Sequence, residues 1–478
     1  MGIAQLIQRS IDTLRDKVVG GAKAAATATI DRFVPDLPLS HQQQRIGGNL
    51  TPSQVSQIYR EADQGIIYRI VDLGNESRQK DCTLESILET RENSLAPLGY
   101  TIVPWRERDE EPTDDAIGDA HLVEDALGRA NGEGQDMQGL TDTISHLQGS
   151  IYHGHATSEI AWIRQGNWMM PKGFWPIGQR RFEFREIDGR LVFNDTFSVG
   201  HRLNGIDLTA EKPGEFITHL PRVNGDIRAR EGLARCLIWA ALFRNWAIAD
   251  WIELGELTYK PWRIGKYPGG KNKTSPAGKT DREDLIDVMR RMTTSGIAAI
   301  RDDMEIDLKG FNISDGAKGV HKLLADFMGA EMAKAVLGQT LTVEAGERGA
   351  RSLGEVHDRV RKDRKEYDAI SQAATLMRDL IRWIIWLNRG PETPLPLFFF
   401  NTDDAIDMSS FSDGLKKLVE AGAQIPVGYP NDKLGIPMPE QGDMLLGGSS
   451  FGGETSEQEE SKALWRRRRI VVPRQLIV

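Results

Sequence analysis

One stretch limits what this chain can fold into more than any other. Between Asp226 and Gly255 runs REGLARCLIWAALFRNWAIADWIEL, apolar on nearly every side. Asp226 is placed to cap the start of a helix and Gly255 to end it. Leu233, Leu237, Ala240, Ala241, Ile248, Trp251 and Ile252 recur at three- and four-residue spacing, and Cys236, Trp239, Phe243, Trp246 and Ala247 cover a second face. At 1.5 Å per residue such a helix is roughly 40 Å long, too long for one compact core to cover. Arg244, Asn245 and Asp250 interrupt the run and argue against a membrane span. Identical neighbours in an oligomer are one way to cover so apolar a helix.

The totals set the frame. With 478 residues there is room for roughly two to four domains. A net charge of -9 argues against a tight, sequence-independent grip on nucleic acid, which needs many cations on phosphates, but leaves brief contact open. Cys82 and Cys236 stand far apart, so no disulfide framework is expected and a reducing compartment is. The start, MGIAQLIQRS, lacks the pattern of a signal peptide and has Leu6 where a myristoylation motif requires Ser or Thr.

Along the chain, Ile3, Leu6, Ile7, Ile11 and Leu14 give an amphipathic helix in residues 1–50, read as a docking arm rather than a membrane anchor. Thr51 and Pro52 start a helix. Leu84, Ile87, Leu88 and Leu95 mark another, running into a strand at YTIVPW, and Arg106 to Asp115 reads as an exposed acidic turn. Residues 141–229 read as a β-rich block: a strand in IYHGHATSEIAWI, a turn in GNWMMPKGFWPIG, a hairpin around Asp188 and Gly189, and a strand in GEFITHLPR. After the long helix, LTYKPWRIGKYPGGKNKTSPAGKT reads as loop and strand, and with a helix capped by Thr280 and the alternating IAAIRDDMEIDLKGF it forms a small α/β insertion. A returning helix, Ala317 to Leu337, carries Val320, Leu323, Leu324, Phe327 and Val336 and ends at Gly338. The two long helices thus make an out-and-back stalk. GQTLTVEAGERGA is too rich in breakers for helix, and Ser352 with Glu355 reads as a capping box restarting a helix that Gly390 and Pro391 end. PLPLFFFN reads as a buried strand and DGLKKLVEAGAQIP as a short helix. LLGGSSFGGETSEQEES reads as flexible and LWRRRRIVVPRQLIV as a basic, β-prone tail.

Enzymatic motifs do not hold together. Ala277 to Thr280 resembles the end of a phosphate loop, but Lys273 stands where its first glycine belongs. His153 and His155 would share one face of a strand without a third metal ligand. Asp302, Asp303, Glu305 and Asp307 suit a solvated strand face better than a metal-dependent nuclease. The tryptophans of the long helix read as core or interface rather than base-stacking platforms. No metal or cofactor is expected.

Four blocks, in this order, resemble the portal proteins of Mu-like tailed bacteriophages and prophages: KDCTLESILETRENSLAPLGYTIVP, HATSEIAW, GDIRAREGLARCLIWAALFRNWAIADWIELGELTYKPWRIGKYP and LGQTLTVEAGERGARSLGEVHDRV. Together they span most of residues 51–400. The resemblance implies an α+β fold with a wing, a two-helix stem, a small α/β clip insertion and a C-terminal crown-like region. On it, 1–50 is an N-terminal arm, 51–227 wing, 228–254 first stem helix, 255–313 clip, 314–337 second stem helix, 338–351 tunnel loop, 352–400 the long helix and return strand of the wing, and 401–478 the crown region with its tail.

It also implies a homo-oligomeric ring, usually a dodecamer, at one capsid vertex. Double-stranded DNA passes through such a ring during packaging and ejection. The implied partners are the terminase large subunit, head–tail adaptor or neck proteins, and major capsid and scaffold proteins, with no membrane. The protein would sit in the virion, and in the host cytoplasm during assembly. Carried onto this chain, Gln339, Thr340, Thr342, Glu344, Glu347, Arg348 and Arg351 would face DNA from the tunnel loop. Lys260, Trp262, Arg263, Asp302 and Asp303 would form the clip's partner surface, and Leu237, Trp239, Phe243, Trp246 and Trp251 would pack the stem. The rival readings are a nuclease or ATPase of the packaging apparatus, or another structural ring of the virion.

Overall fold

The computed structural model of the chain describes residues 3–20, 32–34, 50–108, 110–133, 136–194, 205–221, 227–259, 262–266, 280–295, 305–309, 315–339, 350–402, 408–422, 425 and 429–430. In chain order the helices and strands are α1 (Ile3–Gly20), α2 (Pro52–Asp63), α3 (Tyr68–Lys80), α4 (Cys82–Glu92), β1 (Tyr100–Val103), α5 (Asp114–Arg129), α6 (Leu140–Gln148), α7 (Ser150–His153), β2 (Ala156–Gln165), β3 (Trp168–Ile177), β4 (Phe182–Phe184), β5 (Leu191–Phe193), α8 (Leu208–Glu211) and β6 (Phe216–His219). There follow α9 (Ala234–Tyr259), β7 (Trp262–Lys266), α10 (Asp281–Ser295), β8 (Glu305–Lys309), α11 (Asp315–Leu337), α12 (Ala350–Leu376), α13 (Arg382–Asn388), β9 (Leu397–Phe400) and α14 (Met408–Glu420). Residues 1–402 form one compact unit and 403–478 a second, in which α14 is the described helix.

A three-stranded antiparallel sheet, in the order β3-β2-β6, partitions the body of the first unit. Because strand side chains alternate, Ile160, Trp162 and Ile217 enter one core with α5, α6 and α13, while Phe216 enters the other with α2, α3 and α4. Trp162 is fully buried in the first, its indole N–H donating to the Gly214 carbonyl at 2.7 Å. Helix α1 docks on that same core: Ile11 and Leu14 complete it, and Arg15 donates to the Leu387 carbonyl at the end of α13.

Several expectations need correction. GNWMMPKGFWPIG is a strand, not a turn. β3 tolerates Pro171 because it lies at the sheet edge, next to the register shift opposite Ala161 and Trp162. Gly173 is required there, since a Cβ would come within 2.7 Å of the Gly132 backbone. The β-rich block also contains helix α6. His153 and His155 do not share a strand face, because α7 and the left-handed Gly154 (φ 84°) intervene before β2. The long helix begins at Ala234, not Arg228, and continues through Gly255, so that residue does not stop it. Asp226 lies outside the described residues. Helix α12 is already running at Ala350, so Ser352 is internal and Arg351 belongs to the helix rather than to a loop. Between α12 and α13 the helix widens into a π turn, Met377–Ile381, which aims Asp379 at the Thr218 amide (3.0 Å) and Arg378 at the Thr218 carbonyl (2.7 Å). These two side chains cap an edge position of β6.

The hairpin around Asp188 and Gly189 is present as β4–β5, with Gly189 at φ 65°. The insertion between α9 and α11 has the strand, helix, strand order read from its sequence. β7 and β8 pair antiparallel, and α10 starts with a capping box in which the Thr280 amide donates to Glu283 at 2.9 Å. Gly265 leaves room for Leu285 of α10, which a Cβ would meet at 2.6 Å.

Candidate functional site: the helix pair and the root of the loop

Helices α9 and α11 run antiparallel. The start of α9 (Ala234, Leu237, Ile238, Ala241) shares a core with the end of α11 (Met332, Ala333, Val336, Leu337), and Gly329 lies opposite Arg244. Gly232 (φ 93°) leads into α9 so close to the body that a Cβ there would stand 2.5 Å from the Gly154 amide nitrogen. Tyr59 and Asp63 of α2 then fasten the first turn: the Tyr59 hydroxyl donates to the Arg235 carbonyl at 2.6 Å, and Arg235 pairs with Asp63 at 2.5 Å. Further out, Arg244 pairs at 2.9 Å with Asp81, a fully buried side chain that also accepts the Thr83 and Leu84 amides at the start of α4. A single carboxylate therefore both caps α4 and anchors α9.

Burial falls away along the pair. Leu237 is buried, and Trp239, set edge-on against Tyr59, and Trp246 are half-buried. Phe243 stacks on Trp239 at 5.5 Å and meets Trp246 edge-on, yet it is 41% exposed. Trp251 is 42% exposed and Ile252 63%. Phe243 and Trp251, expected to pack the stem, are thus only partly covered by their own chain. On α11, Val320, Leu323, Leu324 and Phe327 form one stripe at three- and four-residue spacing, with Leu323 68% and Phe327 56% exposed. Such a stripe differs from the singly scattered apolar residues of an ordinary surface.

At the inner end of α11 two guanidinium groups close on the last carbonyls. Arg364 of α12 donates to Ala335 O at 2.7 Å and Val336 O at 3.0 Å; Arg91 of α4 donates to Val336 O at 3.0 Å and forms a two-pronged pair with Asp368 at 2.9 Å. Cations at a helix C-terminus satisfy orphan carbonyls and oppose the negative end of the dipole. Burial and then the nearby Arg91 charge lower the Arg364 pKa, with Asp368 opposing. Gly338 ends α11 at φ 78°, pressed against Val360 and Arg364. Gln339 is 4% exposed, so it belongs to this root and is not available to face DNA. Thr340, Thr342, Glu344, Glu347 and Arg348 lie outside the described residues, as do Lys260, Asp302 and Asp303; of Trp262, Arg263 and Arg351 the backbone alone is described. Nothing in the local sequence around Arg91, Arg364 or Asp368 marks them as one cluster.

Among the described residues no group of three or more His, Cys, Asp or Glu is placed to hold a metal ion, and no helix is long and apolar enough to cross a membrane. His155 is buried and His153 half-buried, and both are held far toward the neutral form, with the pKa of His153 lowered by desolvation to about 3 and that of His155 to about 4. His153 meets Asn75 at 2.9 Å and His155 the Gln179 carbonyl at 3.2 Å, so both have structural partners.

The fold has a counterpart among solved structures. It matches a chain from the neck of an empty gene transfer agent particle with a TM-score of 0.50 at 16% identity, over 77% of this chain and 94% of that one. The sequence narrows this further. The family profile described as portal protein of Mu bacteriophage matches residues 71–436, and the chain belongs to that family. It is 29% identical to the portal protein of Escherichia phage Mu over 84% of this chain and 74% of the relative, and 27% identical to the Mu-like prophage FluMu protein gp29 of Haemophilus influenzae over 88% and 77%. It is therefore a structural rather than enzymatic protein, forming the channel at the capsid vertex, with the α+β portal fold; the nuclease and ATPase readings are set aside.

Proposed function

We propose that the chain closes into a dodecameric ring through its helix pair, the stem, and that double-stranded DNA passes along the ring axis during packaging and ejection. The observation that carries this reading is the apolar stripe on α11 with its continuation at Trp251 and Ile252 on α9, left bare by the chain itself. In a ring each copy offers the same two helices to its neighbours, so closure buries the stripe without any further protein. The ring assembles in the host cytoplasm beside major capsid and scaffold proteins. The insertion between α9 and α11 is the clip, where Lys260, Trp262, Arg263, Asp302 and Asp303 meet the terminase large subunit during filling and adaptor or neck proteins afterwards. The segment after Gly338 is the tunnel loop; Thr340, Thr342, Glu344, Glu347 and Arg348 touch phosphates briefly, and an acidic chain with few counterion-releasing contacts keeps DNA sliding.

Electron microscopy of purified protein, with mass determination in solution, tests the assembly: rings with a central hole and twelvefold symmetry are expected, and a persistent monomer counts against it. Replacing Glu344 to Ala350 with a short rigid linker should leave rings intact and impair packaging or DNA retention; unchanged packaging would remove the loop from the mechanism.

A further inference from the structure

Three residues of the arm occupy a pocket that the channel reading does not use. The amides of Phe33 and Val34 donate to the two carboxylate oxygens of Glu159, at 2.5 and 3.0 Å. Glu159 stands on β2 and is 2% exposed. Val34 is fully buried in the second core, and the Phe33 ring lies edge-on to Phe216 at 6.0 Å and tilted toward Phe193 at 6.5 Å. Lys212 sits 4.4 Å over Phe33, and the Arg32 guanidinium 5.9 Å over Trp175. The pocket thus reads a short segment by its side chains and by two successive backbone N–H groups.

The arm reaches both faces of the sheet. α1 completes the first core with Ile11 and Leu14, and Val34 completes the second. Without an arm the body would expose two core gaps and bury a carboxylate with no donors, a costly state. Burial already raises the Glu159 pKa, with the two amides acting against it. Every body therefore needs one arm. Yet the arm joins the body through a single connector, residues 35–49, which can reach about 50 Å at roughly 3.3–3.6 Å per residue. An element that completes two cores and hangs on one long connector can be exchanged between identical copies while keeping every interaction it makes, and a closed ring supplies one arm for each body. In such a ring the neighbour's arm is also present at high effective concentration.

We propose that in the assembled ring the arm of one copy docks on the next, placing its Arg32–Val34 in the neighbouring copy's Glu159 pocket, so that core completion itself links the subunits. The proposal rests on the ring reading. Its occupant is a second copy of this chain, identified by the segment that fits the pocket.

The test uses full-length chains that are co-expressed. One carries the photoreactive analogue benzoylphenylalanine in place of Phe33; the other carries a distinguishing tag and the natural Phe33. Rings are verified by microscopy, illuminated, digested and mapped. Crosslinks from position 33 to the Phe193 and Phe216 peptides of the tagged subunit are expected, with dimer-mass product exceeding intrachain product at least tenfold. Rings whose crosslinks are all intrachain would overturn arm exchange and leave the ring reading standing, whereas absence of rings would overturn both. The nearly isosteric Glu159→Gln variant should lower the crosslink yield several-fold; an unchanged yield would remove Glu159 from the docking site.

Discussion

The body and the helix pair treat apolar surface in opposite ways. In the body, one sheet divides two closed cores, and residues such as Trp162, Phe174 and Leu84 are fully covered by their own chain. In the pair, burial is complete at the inner end, at Leu237 and Val336, and lost toward Ile252 and Leu323. The first region covers its apolar side chains with its own chain; the second leaves part of them exposed. At the junction they share the apolar core of α2, α3 and α4, and polar contacts reinforce it: Arg244 with Asp81, Arg91 on the Val336 carbonyl, and Arg364 on the α11 carbonyls. Directional bonds hold the pair at a defined place on the body, which apolar packing alone would not.

This contrast can be broken in order of severity. Trp162→Ala should do most harm, about 3–5 kcal/mol in denaturant unfolding of the subunit, since it removes a fully buried ring and strands the Gly214 carbonyl. Arg244→Ala should cost about 3 kcal/mol by leaving Asp81 buried without its cation, and Arg244→Ala with Asp81→Asn should recover part of that in a double-mutant cycle.

Acid comes next. His155 and His219 have pKa values lowered to about 4, chiefly by burial, and both remain neutral in the folded body. A folded pKa below the unfolded value of about 6.5 gives stability that is present above that value and declines as pH falls toward 4, amounting to about 2 kcal/mol for each group by pH 5. Unfolding measured from pH 7 to 5 should show this loss, and His219→Asn should flatten the profile. The smallest effect on the subunit should come from Leu323→Ser with Phe327→Ser: under about 0.5 kcal/mol in unfolding, because both are exposed. The same double variant should abolish or sharply weaken rings by solution mass. A subunit destabilised as much as by Trp162→Ala would erase the distinction between the two regions.

What could be read ahead of the structure had local causes. The α11 stripe, the Gly338 stop, the Thr280 cap and the Asp188–Gly189 hairpin follow from residues a few positions apart. Strand β3 was illegible because its Gly173, Pro171 and Pro176 are turn residues by local rule; Pro171 is acceptable at a sheet edge next to a bulge, and Gly173 is required beside Gly132. Two helix-end predictions, at Gly255 and Ser352, failed, and α12 is already running at Ser352. Gly255 can end a helix, but α9 continues through it.

The candidate site divides the same way. That an apolar helix this long needs neighbours is evident from composition and periodicity, which depend on the chain alone. Which residues remain bare is not: Trp239 and Phe243 are one turn apart on the same helix, yet Trp239 packs against the second core beside Tyr59 while Phe243 is 41% exposed. The clamp at the root of the loop is further out of reach, because Arg91 and Asp368 are 277 residues apart and charged pairs carry no periodic signal. The sequence by itself determined the long helices, the order of the insertion and the family, since propensity, capping and spacing act within a few residues. The tertiary structure decided which apolar faces are closed and which stay exposed, and which carboxylates hold a helix, a guanidinium or an arm, because burial and ion pairing exist only once distant segments meet.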